Sequence, residues 1–171
     1  LGQVKDALMT AMELESSKKI MNKLFREAIT TAKNIKSTYK ISENPLSMSY
    51  IGVKYLKENI GDLTDKKVFI IGVGNMGKLA LKHLLEEGVT QIYCCNRNLQ
   101  KIKELIEVCP SIIQVDYGNR YEIIKEMDIL ISATASSHIV VKKINMPKLH
   151  KNLYALDLAL PRDIDPELGT D

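Results

Sequence analysis

The chain has 171 residues, room for one domain and an appendage, and its 45% hydrophobic and 26% charged residues are the balance of an ordinary soluble globular protein. No run of 18 apolar residues and no leader pattern occurs, so no membrane partner is expected and the cytoplasm is the expected compartment. A formal net charge of +3 is too small to argue for nucleic acid by itself. The sequence starts in mid-pattern at Leu1 and stops at Leu168-Gly169-Thr170-Asp171, after a proline-rich turn, so a piece of a longer protein is expected.

Residues 3–36 read as helix in two pieces. Val4, Ala7, Leu8 and Ala11 form one apolar stripe, and Ile20, Met21, Leu24, Phe25, Ala28, Ala32 and Ile35 form another at spacings of three and four, a pattern that predicts core packing. Ser16-Ser17 is expected to cap the second helix. Seven Lys/Arg against two Asp/Glu over residues 15–40 read as a solvated helix face, with a nucleic-acid-contacting face as the alternative. After a loop with Asn44-Pro45, Ser47 or Ser49 opens a helix through Tyr50–Asn59, closed by Ile60-Gly61. Residues 1–61 are expected to form a helical linker and the tail of a missing domain.

From residue 62 the period changes. Strands are predicted at Val68–Ile71, Gln91–Cys95, Ile112–Val115, Ile129–Ser132 and Leu153–Leu158, and helices at Lys78–Glu87, Gln100–Val108 and near Tyr121–Lys125. This alternation implies right-handed crossovers, hence an α/β fold: a Rossmann-type doubly wound parallel sheet over residues 62–171, preceded by the helical linker segment. Adjacent Cys94 and Cys95 on one strand face opposite sides of the sheet, and with Cys109 they read as reduced, packed thiols without metal-ligand spacing.

The predicted site follows the first strand. Gly72-Val73-Gly74-Asn75-Met76-Gly77 joins strand to helix: Gly72 for the tight turn, Gly74 for close approach of backbone to a pyrophosphate, and Gly77 for helix–strand packing. The free N–H groups and partial positive charge of the next helix would receive the phosphates. At the tip of the second strand, an NAD site wants an acidic residue for the ribose 2′-hydroxyl. Asn96, Arg97 and Asn98 stand there, with Lys101 one turn on, a cationic set that suits a 2′-phosphate and therefore NADPH. Beyond the fourth strand, the small residues Ala133 and Thr134 leave room for the nicotinamide ring, although Ser136 or Ser137 could instead cap a helix. His138 reads as a loop residue rather than a base, and His83 and His150 suggest nothing.

These residues resemble the glutamyl-tRNA reductase family over nearly the whole chain. Leu1-Gly2-Gln3-Val4-Lys5 looks like its LGQVK segment, and Lys23-Leu24-Phe25 with Ala28 is similar to its RLFxxA helix. Ile70–Gly77 resembles its IGxGxMG stretch and Asn96-Arg97 its NR pair. Ser132-Ala133-Thr134 and Leu160–Ile164 resemble its SAT and VPRDI segments. Where the family has GKxVRTET, residues 32–39 read AKNIKSTY, a departure in the linker that leaves the cofactor site untouched.

The resemblance implies a two-stage reaction. A cysteine upstream of Leu1 takes the glutamyl group from its tRNA as a thioester, and NADPH reduces it to glutamate-1-semialdehyde, the first step of five-carbon tetrapyrrole (porphyrin) synthesis. It implies a substrate-binding role for Gln3, no catalytic residue within this chain, no metal, a homodimeric full-length protein and a downstream aminotransferase partner. The chain alone is expected to be inactive. A shikimate-dehydrogenase-like NADP oxidoreductase and a non-catalytic nucleotide-sensing module are the rival readings.

Overall fold

Short apolar strands between amphipathic helices can bury both faces only by stacking side by side under helices, and the chain does this. The computed structural model describes residues 2–39 and 48–169; Leu1, Asn44-Pro45, Ser47 and Thr170-Asp171 lie outside the described residues. Two compact units divide at Pro45 and Leu46.

The first unit holds α1 (Gly2–Glu13) and α2 (Lys19–Thr38). Ser16 and Ser17 do not cap α2, whose N-cap is Lys18 without a side-chain bond. Instead the Ser16 hydroxyl and both serine N–H groups donate to the Ala11 carbonyl, closing α1. Of the two apolar stripes only Leu8 is buried, joined by Ile29; Ile20, Met21, Leu24 and Ile35 remain exposed. Two helices have too few facing positions to enclose both stripes, so the expected core does not close within this unit.

The second unit begins with α3 (Met48–Ile60) and continues through β1 (Lys67–Ile71), α4 (Asn75–Glu86), β2 (Gln91–Cys95), α5 (Leu99–Val108), β3 (Ile113–Gln114), α6 (Arg120–Ile124), β4 (Ile129–Ser132) and β5 (Tyr154–Asp157). All five strands are parallel, in the order β3-β2-β1-β4-β5, a Rossmann-type α/β arrangement whose strand order reverses at β1 and β4. One face packs Val68, Ile70, Ile92, Cys94, Ile129 and Ile131 under α3, α4 and α5. The opposite face buries Phe69, Ile71, Cys95 and Leu130.

Helix α3 belongs to this unit: Val53 and Leu56 enter the first core, and Lys57 pairs with Glu87 beyond α4. The compact unit therefore starts before residue 62. Its boundary escapes a reading based on period, because α3 is helical like the segment before it. The fourth crossover differs from the first three. Residues 133–153 contain no α-helix, only a short 3-10 turn at Lys143–Asn145, and Val140 and Val141 cover the second face instead.

Candidate dinucleotide site

Strand β1 ends at the switch point, and its turn is built for close approach. Gly72 has φ +93°, a left-handed conformation that favours glycine, and its N–H donates to the Cys95 carbonyl. A Cβ at Gly77 would stand 2.0 Å from the Gly72 carbonyl oxygen, so nothing larger than hydrogen fits there. Gly74 differs: no atom lies within 4 Å of the place its Cβ would take. It is the N-cap of α4 and gives no side-chain cap. The helix starts at Asn75, three residues before the expected Lys78, and the first turn leaves the N–H groups of Asn75, Met76 and Gly77 ahead of the first intrahelical bond, from Lys78 N to Gly74 O. Ser49, fully buried in α3, donates to the Met76 carbonyl at 2.9 Å and braces that turn.

A pocket of about 390 Å³ opens at this end of the sheet, lined by Gly72, Gly74, Asn75, Met76, Asn96, Arg97, Lys101, Ala133 and Thr134 among the expected residues. Val73 is buried, and its N–H takes the Asn96 side-chain oxygen at 3.3 Å. Asn98 lies outside the lining as the N-cap of α5, its side chain accepting from the Gln100 N–H. Gln3 is exposed in the first unit, beside a separate apolar pocket between α1 and α2.

Tyr117, Ala135 and Ser136 complete the lining. Tyr117 is the residue the sequence did not reveal. Arg97 Nε donates to its hydroxyl at 3.3 Å, and the Arg97 and Arg120 guanidiniums lie 5.5 and 4.4 Å from its ring centre. Its position comes from a turn after β3, where Asp116 accepts from the Gly118 N–H, and no spacing from the glycine motif predicts it.

At β4 no helix starts. The Ser136 N–H donates to Thr134 Oγ1, and the Thr134 N–H and hydroxyl both donate to Asp163, at 2.9 and 2.7 Å. Asp157 in turn accepts the N–H groups of Ala159, Asp163 and Ile164. His138 is an exposed loop residue; His83 pairs with Glu86 on α4, away from the pocket. Cys94 and Cys95 are buried on opposite faces. Burial pushes both thiols up, Cys95 to about 12, so neither offers a thiolate. Cys109 is half-buried beside Ser111. No metal-binding cluster and no helix able to cross a membrane occurs among the described residues.

The residues fit a dinucleotide: a glycine turn, an uncapped helix N-terminus and a cationic rim meet in one pocket at the carboxyl ends of parallel strands. The chain matches the family model described as shikimate / quinate 5-dehydrogenase over residues 54–170, and it belongs to that family of dinucleotide-binding domains. Within that class its likeness is to glutamyl-tRNA reductases. It is 51% identical to the enzyme of that name from Clostridium novyi (strain NT), over 99% of this chain and 41% of the relative. Among solved structures, glutamyl-tRNA reductase from Methanopyrus kandleri superposes with a TM-score of 0.66 at 27% identity, over 99% of this chain and 44% of that one. The nucleotide-binding domain of glutamyl-tRNA reductase from Thermoplasma volcanium shares the fold, with a TM-score of 0.55 at 20% identity over 71% of this chain and 82% of that one. The chain spans about two fifths of the length of the curated relatives it matches.

Proposed function

We infer that this chain is the NADPH-binding part of a reductase that converts glutamyl-tRNA to glutamate-1-semialdehyde, at the start of tetrapyrrole (porphyrin) synthesis. The observation that carries the reading is the pocket itself, where the α4 N-terminus and the Arg97–Lys101 rim converge in a chain so similar to glutamyl-tRNA reductases. The α4 N–H groups receive the pyrophosphate, and Gly74 lets it approach. Arg97 and Lys101 receive the 2′-phosphate, with Asn96 and Asn98 shaping the loop on either side of Arg97. Ala133, Thr134 and Ser136 face the nicotinamide end. The cofactor supplies the hydride.

The nucleophile that holds the glutamyl group comes from another part of the full-length protein, since the three thiols here lie outside the pocket lining and two are packed in β2. Gln3 contacts the glutamyl group in that larger assembly. The same reading carries a homodimeric full-length protein, a cytoplasmic setting and hand-off of the aldehyde to an aminotransferase. A shikimate-dehydrogenase-like reductase has less support, because that family model begins at residue 54 whereas the likeness to the tRNA-dependent enzymes extends over 99% of the chain. A purely nucleotide-sensing module remains distinguishable by activity.

Titration with both cofactors tests the reading. NADPH is expected to bind ten- to a hundredfold tighter than NADH, since a charge-assisted contact contributes about 1.5–3 kcal/mol. Arg97→Ala should erase most of that gap, and equal binding by the unmodified chain refutes the assignment. With charged tRNA and NADPH, the full-length protein should yield glutamate-1-semialdehyde and the 171-residue chain none. Turnover by the chain alone, lost on one Cys→Ser change, would overturn the placement of the nucleophile.

A further inference from the structure

Asp163 belongs to the Leu160–Ile164 segment, which the motif comparison singled out and to which cofactor binding assigns no task. Its side chain is fully buried, and every donor that meets it is neutral: the Ser132 hydroxyl at 2.8 Å, the Thr134 N–H at 2.9 Å and the Thr134 hydroxyl at 2.7 Å. Three hydrogens directed at its two oxygens are the bonding pattern of the anion. No lysine or arginine forms an ion pair with it among the described residues. The Arg97 guanidinium is pushed up mainly by its bond to the Tyr117 hydroxyl and only to a smaller extent by Asp163.

Thr134 lies between this carboxylate and the pocket. Its one hydroxyl hydrogen goes to Asp163 while its oxygen accepts from the Ser136 N–H, so it presents no free hydrogen to a ligand. What reaches the pocket at this end is the charge one hydrogen bond behind the lining. The site is therefore polarised, with the α4 N-terminus, Arg97 and Lys101 positive and the β4 end negative. A nicotinamide dinucleotide has the matching polarity in one redox state only. Its phosphates are anionic, and its ring is cationic when oxidised but neutral when reduced.

We propose that Asp163, acting behind Thr134 as a positioning residue, makes the pocket favour the oxidised, cationic ring over the reduced one. Bound NADPH is then a stronger hydride donor than NADPH in water. This rests on the reading that the pocket takes NADPH with its ring toward Thr134. A purely structural Asp163 would hold the β4 end in shape and affect every ligand alike, whereas a charge acts on the difference between two ring states.

The test measures dissociation constants of NADP+, NADPH and 2′-phospho-ADP-ribose, which lacks the ring, at one ionic strength. In Asp163→Asn, which keeps the side-chain shape, NADP+ should weaken about tenfold relative to NADPH, the size of a screened charge–charge contact, while the anionic ringless ligand does not weaken. Equal weakening of all three ligands makes Asp163 structural only and overturns the proposal. The unmodified chain supplies a second measurement that needs no variant to fold: NADP+ is expected to bind at least as tightly as NADPH, and a preference for NADPH of several-fold overturns the proposal as well. Failure of all three ligands to bind removes the NADPH reading itself. Binding of all three with no dependence on ring charge removes this inference alone.

Discussion

On one side of the pocket the chain turns within six residues, Gly72–Gly77, and the sterics that fix that turn lie in those residues and at the ends of the neighbouring strands, with Ser49 of α3 as an outside brace. On the other side Thr134 takes its position from Asp163, 29 residues further along, and Asp163 takes its own from Asp157. The two sides face the same ligand but store their shape differently. A turn fixed by backbone sterics fails when a crowded position such as Gly77 gains a side chain, whereas a turn fixed by buried carboxylates fails when a distant partner is lost.

The largest effect is expected from Gly77→Ala. Its methyl group would meet backbone 2.0 Å away, and forced overpacking of this kind costs about 3 kcal/mol. Both the thermal midpoint and NADPH binding should fall; a variant with unchanged melting would show that the turn relaxes more easily than its sterics allow. Gly74→Val separates fold from function on the same turn. Open space surrounds that position, so melting should hardly move while dinucleotide binding is lost, and retained affinity would place the phosphates elsewhere. Asp157→Ala probes the remote side. It strands the N–H groups of Ala159, Asp163 and Ile164 at a cost of about 2 kcal/mol, and should weaken binding through Thr134 without touching the ligand. Loss of stability with no change in affinity would mean that the β4 end keeps its shape unaided.

The same contrast explains what the sequence disclosed. The glycine turn, the five strands, the facing of Cys94 and Cys95 and the cationic tip at Arg97 follow from periods and neighbours, and all were legible. Asp163 was visible as part of a motif, but its buried bonds to β4 depend on a chain path that no local pattern encodes. Tyr117 was hidden for the same reason, reaching the pocket from the turn after β3. The expected core of α1 and α2 failed differently. Helical periodicity reports an apolar face correctly, yet it does not say what covers that face, and Ile20 is 83% exposed.

The crossover from β4 to β5 gives the sheet a graded resistance to opening. Three helices seal the first face, so the amide hydrogens of β1 and the inner strands should exchange with solvent only when the whole unit unfolds. The second face is covered by Ile124 of α6 and by Met127 on one part and by Val140, Val141 and Ile164 on the other, and this last layer, held by backbone bonds to Asp163 and a single bridge, should exchange earlier through a smaller opening. Thr134 and Ser136 sit at the root of that looser layer and also line the pocket. A dinucleotide seated there ties the loose layer to the rigid one, so its arrival should be recorded as slowed exchange at Val140 and Val141, residues outside the pocket lining.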